Sequence, residues 1–165
     1  VDRVSHLLNE AGVPAECLEI ELTENVVQTG TTTIQALHRL RSLGVSVALD
    51  DFGTGLSSLS YLRSMPVSML KIDGSFVRDI LRDERAESMV RAIAQLARAM
   101  NITTVAEYVE TEEIRTRIRA LGVDYGQGFA IARPVPVGEV LEVIPVLAAA
   151  TPGAFLVEEP SSRAG

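Results

Sequence analysis

The spacing of hydrophobic residues changes several times along the chain, and each change predicts a different element. Apolar residues recur every three or four positions in residues 1–11 and 31–43, and a glycine follows each segment, which predicts two amphipathic helices. Residues 18–22 alternate apolar and acidic side chains, which predicts a half-buried strand. Residues 45–49 form a short apolar run, which predicts a buried strand.

The rest of the chain continues this alternation of strands and helices. Further strands are predicted at residues 69–73, 102–106 and 123–127. Further helices are predicted at residues 57–65, 76–81, 84–100, 112–121 and 137–149. Strands that alternate with helices typically pair in parallel, so the sequence predicts an α/β fold with a parallel sheet. We expect one domain over residues 1–150 and a disordered tail at 151–165, which is rich in Pro, Gly, Ser and Glu.

Composition narrows the class of protein. At 165 residues, with 47% hydrophobic and 22% charged residues, the chain has the material for one soluble globular domain. Its formal net charge of -7 argues against a nucleic-acid polymer as ligand, since that affinity depends on Lys and Arg. No apolar run reaches the roughly 18 residues that a membrane helix needs. A single cysteine, Cys17, forms no internal disulfide, so the cytoplasm is the expected location.

Every predicted strand ends at or near a polar or charged residue. In chain order these are Glu21, the adjacent pair Asp50 and Asp51, Lys71, Glu107 and Gln127. The C-terminal ends of parallel strands lie at one edge of the sheet, which in βα barrels is the catalytic face. Carboxylate and amide oxygens are hard ligands that suit Mg²⁺, Mn²⁺ or Ca²⁺. Because two carboxylates are adjacent, the set also suits a pair of ions that activates water for attack on a phosphodiester.

Two features of this set have a simpler interpretation, which stays open at this point. Asp50 and Asp51 taken alone are also typical of a solvated acidic turn. Lys71 is a candidate for orienting a water molecule or for neutralising charge on a phosphoryl group. It is also a candidate for a structural ion pair with one of the two aspartates. Both interpretations keep Lys71 in the site.

Five motifs of the chain, in this order and spacing, resemble those of the EAL domain family. They are Glu21-Leu22-Thr23-Glu24, Asp50-Asp51-Phe52-Gly53-Thr54-Gly55, Leu70-Lys71-Ile72-Asp73, Val105-Ala106-Glu107-Tyr108-Val109-Glu110-Thr111 and Gln127-Gly128-Phe129. The resemblance runs from about residue 18 to residue 136. It implies a modified TIM-type barrel and a bacterial phosphodiesterase of second-messenger signalling, which hydrolyses cyclic di-GMP to linear pGpG. The implied cofactors are two Mg²⁺ or Mn²⁺ ions, with Ca²⁺ as an inhibitory or substitute ion.

The resemblance also implies a role for each motif residue. The implied metal ligands are Glu21, Asp50, Asp51 and Glu107, and the implied catalytic residues are Lys71, Glu107 and Asp51. Lys71 corresponds to the lysine that contacts the catalytic water, and Gln127 to a glutamine beside the metal cluster. Glu24 corresponds to a glutamate that anchors the loop after Asp51. In relatives that loop, residues 52–60 here, couples dimer contacts to activity, so a homodimer is expected.

The chain also departs from the family pattern. The Glu-Ala-Leu signature and the later Asn-x-Ser strand do not occur in these residues, so we expect a partial barrel whose opening strands are missing. Five strands of an eight-stranded barrel leave unpaired edges. We therefore expect residue 1 to be a truncation point in a larger signalling protein, either free or membrane-tethered. Tyr108 stands where relatives usually carry glycine, so it is expected to crowd the rim of the site or to shift the backbone.

These departures leave two alternatives to an active phosphodiesterase. One is a catalytically degenerate EAL module that binds cyclic di-GMP or a protein partner without hydrolysis, which Tyr108 and the missing signature favour. The other is an inactive, poorly soluble fragment. The sequence favours the phosphodiesterase, given the missing N-terminal part of the domain, since every catalytic position in the matching region holds the expected residue type.

Overall fold

The computed structural model describes residues 1–23, 31–54 and 59–140. Its helices are α1 (Asp2–Ala11), α2 (Thr31–Ser42), α3 (Leu59–Ser64), α4 (Gly74–Asp79), α5 (Glu84–Ala99) and α6 (Glu112–Ala120), with short 3-10 turns at Ala15–Cys17 and Val137–Glu139. Its strands are β1 (Glu19–Thr23), β2 (Ser46–Phe52), β3 (Met69–Ile72), β4 (Thr103–Ala106) and β5 (Tyr125–Gly126). Glu24, part of the loop after Asp51, most of the predicted helix at 137–149 and the predicted tail at 151–165 lie outside the described residues.

The strands form one parallel five-stranded sheet whose spatial order follows the chain, β1-β2-β3-β4-β5. At least one helix lies between each strand and the next. Within the described residues β1 and β5 each pair with one neighbour, so the sheet is open rather than closed into a barrel. The structure therefore confirms the predicted α/β fold and the incomplete barrel.

The central strands carry the core. In β2, Val47 and Leu49 are buried, and the residue between them is buried as well, as is usual for a parallel strand covered on both faces. Leu70 and Ile72 of β3 are fully buried, and α5 packs Val90 into the same cluster. By contrast, β1 alternates exposed and partly buried residues, which fits its place at the edge of the sheet.

Side-chain caps start two of the helices that follow strands. Asp73 follows β3 and accepts a hydrogen bond from Ser75 N at 2.9 Å, which starts α4. Thr111 accepts a hydrogen bond from Ile114 N at 3.3 Å, which starts α6. None of the described helices combines the length and the apolar character needed to cross a membrane.

Two strands differ in length from the sequence-based prediction by two residues or more. β2 does not end before the acidic pair but continues through Asp50 and Asp51 to Phe52. β5 is shorter than predicted, because the side chain of Asp124 takes over a bond that strand pairing would make. Its Oδ2 accepts hydrogen bonds from Thr104 N at 2.8 Å and from Thr104 Oγ1 at 2.7 Å. Pairing between β4 and β5 therefore begins only after Asp124.

Candidate metal centre

Lys71 lies at the centre of a group of carboxylates. Its Nζ is 2.8 Å from Glu107 Oε1, 3.1 Å from Glu21 Oε1 and 3.1 Å from Asp50 Oδ1. Glu21, Asp50 and Lys71 lie in β1, β2 and β3, respectively. Glu107 directly follows β4. Parallel pairing aligns these positions, since Lys71 lies opposite Val105, two residues before Glu107. The structure thus brings together side chains that lie up to 86 positions apart along the chain, as the strand-end pattern predicted.

Lys71 is held in its charged form. Its side chain is only 7% exposed. Burial on its own lowers the pKa of the ammonium, but the carboxylates of Glu107, Asp50 and Glu21 outweigh this effect and raise the pKa of Lys71 above its usual value. The structure therefore contains the ion pair of the simpler interpretation, and it places that ion pair among the predicted metal ligands.

A bulge in β2 explains how two consecutive acids serve one site. Neighbouring residues of a regular strand point to opposite faces of the sheet. Between Leu49 and Phe52, β2 contains one residue more than the facing segment of β3, which interrupts the pairing. Asp51 occupies this bulge with a φ of 54°, a left-handed conformation that aspartate tolerates better than most residues. The bulge thus allows a carboxylate oxygen of Asp51 to lie within 4.8 Å of one from Asp50.

A third aspartate, Asp73, interacts with Asp51. Burial, followed by the charges of Asp50 and Asp73, raises the pKa of Asp51, although Lys71 acts in the opposite direction. Burial alone raises the pKa of Asp73 as well, but hydrogen bonds from Ser75 and Asp51 lower it overall. Asp51 is therefore the more easily protonated member of this pair. Asp73 was not among the predicted site residues, although its place two positions after Lys71, directly after the same strand, was a usable signal.

The donor set fits a hard divalent cation. Single carboxylate oxygens of Asp50, Asp51 and Glu107 all lie within 4.8 Å of one another, and one ion can span them because metal–oxygen distances are about 2.0–2.6 Å. Asp50 Oδ1 is buried and has no hydrogen bond of good geometry within the described part of the chain. Lys71 Nζ lies 3.1 Å from this oxygen but is poorly aligned with it, so the short distance overstates the contact. A buried oxygen in this state is costly, and a bound cation would satisfy it.

The remaining predicted residues lie at the edge of this group. Glu21 reaches it through Lys71, and its side chain is half exposed. Gln127 follows β5, where its N–H donates to Ala106 O at 2.8 Å, and it lines a cleft together with Glu107. Glu24 lies outside the described residues, so its role as a loop anchor stays a prediction.

Tyr108, next to Glu107, has a left-handed backbone with a φ of 56°, a conformation that glycine adopts more readily than tyrosine. Its ring packs against Gly74, where an added Cβ would lie 2.1 Å from Tyr108 Cδ2. The Arg78 guanidinium carbon lies over the ring, 4.7 Å from its centroid. Sequence reasoning missed Arg78, because an arginine on an exposed helix carries no signal of its own.

Several known proteins are similar to this chain in sequence and in fold. The family profile described as the EAL domain matches residues 1–134. The chain is 42% identical over 131 residues to a cyclic di-GMP phosphodiesterase, PdeB of Shewanella oneidensis. It resembles the PaMucR phosphodiesterase in complex with c-di-GMP, at 36% identity and a TM-score of 0.80. It also resembles Klebsiella pneumoniae BlrP1 in a manganese and cyclic di-GMP complex, at 34% identity and a TM-score of 0.74.

These matches cover most of the chain but a smaller share of each relative. The match to PdeB includes 79% of this chain and 15% of PdeB. The match to PaMucR includes 84% of this chain and 57% of that protein, and the match to BlrP1 includes 81% and 35%. The chain therefore spans less than two thirds of each of these three relatives.

Proposed function

The chain belongs to the EAL domain family, and from this membership we propose that it supplies the metal ligands and the lysine of a cyclic di-GMP phosphodiesterase. The relatives named above support the substrate, since PdeB is named a cyclic di-GMP phosphodiesterase and the PaMucR structure is a c-di-GMP complex. The product we propose is linear pGpG. One water is added across a single bond between phosphorus and a ribose 3′ oxygen, so the phosphate stays on the 5′ oxygen.

The observation that carries this proposal is the convergence of oxygens from Asp50, Asp51 and Glu107 within 4.8 Å, around a buried oxygen of Asp50 that lacks a well-aligned partner. We propose that these three residues and Glu21 hold one or two Mg²⁺ or Mn²⁺ ions. A bound divalent ion supplies positive charge to the phosphoryl oxygens and lowers the pKa of a bound water. The manganese and calcium complexes of BlrP1 support a divalent ion of this kind, with Ca²⁺ as a substitute or inhibitor.

The protein's own groups have separate tasks in this proposal. The Lys71 ammonium lies 2.8 Å from Glu107 and stays protonated, so it is suited to orient a water molecule by donating hydrogen bonds and to offset negative charge on the phosphoryl group. Asp51 would hold a cation as the carboxylate, because only the deprotonated group is a ligand. Gln127, which lines a cleft with Glu107, contributes an amide to the substrate side of the cluster.

Two further parts of the proposal concern the surroundings of the site. We propose that Glu24 anchors the loop at residues 52–60 and that this loop contributes to a homodimer. The cytoplasm is the proposed location, because cyclic di-GMP signalling takes place there. The alternative of a module that binds cyclic di-GMP without hydrolysis draws no support from the described residues, where the carboxylates and Lys71 form one group.

The test is product analysis with the whole protein that carries this chain. The purified protein is incubated with cyclic di-GMP and Mg²⁺ or Mn²⁺, and the nucleotides are separated by reversed-phase chromatography. The proposal predicts metal-dependent formation of pGpG, and a loss of at least about 100-fold in Asp50→Asn. Binding of cyclic di-GMP with no pGpG from any metal would establish the degenerate module instead.

A further inference from the structure

A cleft of about 570 Å³ opens beside the candidate metal centre. Its lining includes Arg78, Glu107, Tyr108, Glu110, Gln127 and Phe129. Glu107 belongs to both the cleft and the metal centre, so a molecule in the cleft is a direct neighbour of any cation held by Asp50 and Asp51. The volume is in the range typical of small-molecule sites.

Two half-exposed aromatic rings distinguish this cleft. Only 4% of the residues in the chain are aromatic, yet Tyr108 is 51% exposed and Phe129 is 50% exposed at this one place. A guanidinium covers each ring. The Arg78 carbon lies 4.7 Å from the centroid of Tyr108, and the Arg133 carbon lies 4.5 Å from that of Phe129. Exposed rings paired with arginine are the groups on which nucleic-acid bases stack, because every base presents a flat π-face.

The position of Tyr108 is fixed from two sides. Its backbone has a φ of 56°, a left-handed conformation that is strained for a tyrosine. Its ring lies so close to Gly74 that an added Cβ there would be 2.1 Å from Tyr108 Cδ2. Strain of this kind persists where the surroundings over-determine a side chain, and it is concentrated at ligand sites.

We propose that Tyr108, seated on Gly74 and covered by Arg78, is a substrate-binding residue that stacks against one guanine base of the substrate. The inference rests on the proposed function, which supplies a cyclic dinucleotide with its phosphodiester at the metal centre. The base then lies in the cleft beside Glu107, and Tyr108 contributes to binding rather than to bond cleavage.

The charge of the cleft selects guanine over adenine. Glu110 lines the cleft and offers only hydrogen-bond acceptors when ionised. The Watson–Crick edge of guanine presents two neighbouring N–H donors, whereas that of adenine presents an acceptor at the ring nitrogen. A carboxylate therefore favours guanine, and it leaves an acceptor opposed to an acceptor when adenine is bound.

The test measures KM and kcat for cyclic di-GMP in five variants of the whole protein. Tyr108→Gly suits the left-handed backbone, so it removes the ring without adding strain. We expect it to raise KM about 10-fold, with the loss in KM rather than in kcat, because a stacked base is worth roughly a 5- to 150-fold change in affinity. Tyr108→Phe keeps the ring and retains the KM of the unaltered protein.

Gly74→Ala displaces the Tyr108 ring and raises KM when Tyr108 is present. It has no further effect on KM when it is combined with Tyr108→Gly. Arg82→Ala is the matched control, since Arg82 is an exposed arginine near α4 and outside the cleft lining.

The outcomes separate this inference from the proposed function. Hydrolysis by the unaltered protein with an unchanged KM in Tyr108→Gly overturns the stacking role and leaves the phosphodiesterase in place. A fall in kcat alone also overturns it. If the unaltered protein neither binds nor hydrolyses cyclic di-GMP, both proposals fail. Calorimetry with Ca²⁺ provides a readout without turnover, in which Tyr108→Gly weakens the binding of cyclic di-GMP by the same factor.

Discussion

The Lys71 ammonium lies 2.8 Å from a carboxylate oxygen of Glu107, although the two residues are 36 positions apart and belong to neighbouring strands. Glu21 and Asp50 approach the same nitrogen at 3.1 Å. The Lys71 ammonium thus offsets part of the repulsion among three acids at the edge of the sheet. Lys71 therefore stabilises the centre when no metal is bound, besides its proposed role in catalysis.

Replacing Lys71 with Met tests that stabilising role. The substitution leaves the carboxylates of Asp50 and Glu107 without their counter-charge, so we expect the free energy of unfolding in urea to fall by about 3 kcal/mol in the presence of a chelator. Saturating Mg²⁺ recovers part of the loss, because the ion replaces the missing charge. Arg39→Met is the matched control. It removes an exposed ion pair with Asp2 and changes stability by less than about 1 kcal/mol. Equal losses in both variants would contradict a central role of Lys71.

Substitutions at Asp51 separate the bulge from the ligand. Asp51→Asn keeps a side chain that tolerates the φ of 54°. We therefore expect its free energy of unfolding to stay within about 0.5 kcal/mol of that of the unaltered protein. Calorimetry should show Mn²⁺ binding weakened by at least about 10-fold, because a carboxylate ligand is lost. Asp51→Val places a β-branched residue in the left-handed region and lowers stability by about 1–2 kcal/mol as well. If both variants unfold at the same urea concentration, the bulge does not depend on the residue at this position.

Asp73 predicts a pH dependence of stability. Hydrogen bonds from Ser75 hold the pKa of Asp73 below its usual range. A lowered pKa in the folded state stabilises the protein above the usual pKa of about 3.9, and this contribution is lost as pH falls through the folded value. Asp73→Ala also removes the cap of α4. We expect Asp73→Ala to lower the free energy of unfolding in urea by about 1 kcal/mol at pH 7 and by progressively less below about pH 4. A loss of stability that becomes larger as the pH falls would contradict this expectation.

Gly128 predicts a packing constraint beside Gln127. An added Cβ would lie 2.4 Å from the backbone N and O of Val109, so Gly128→Ala forces the two loops apart. We expect a loss of about 2 kcal/mol or more in the free energy of unfolding. Gly138→Ala is the control, since nothing lies within 4 Å of the Cβ it adds. Similar melting temperatures for the two variants would show that the loops after β4 and β5 are not in close contact.

The sequence predicted the parts of the site that depend on regular parallel pairing. The strand ends at Glu21, Asp50, Lys71 and Glu107 were predictable because each belongs to a recognisable apolar segment. Parallel pairing then brings these ends together. The bulge at Asp51 was not predictable in the same way, since it exists only relative to the register of β3. The stacking of Arg78 on Tyr108 depends on how α4 docks beside β4, and no local pattern encodes that contact.

The most direct test of the account is a crystal of the protein soaked with MnCl₂ and measured near the manganese absorption edge. The account predicts an anomalous peak within about 2.0–2.6 Å of oxygens from Asp50, Asp51 and Glu107, with the Lys71 ammonium beside it. It also predicts that this peak disappears in Asp50→Asn. Absence of any peak at these carboxylates, at a Mn²⁺ concentration that supports hydrolysis of cyclic di-GMP, would contradict the account.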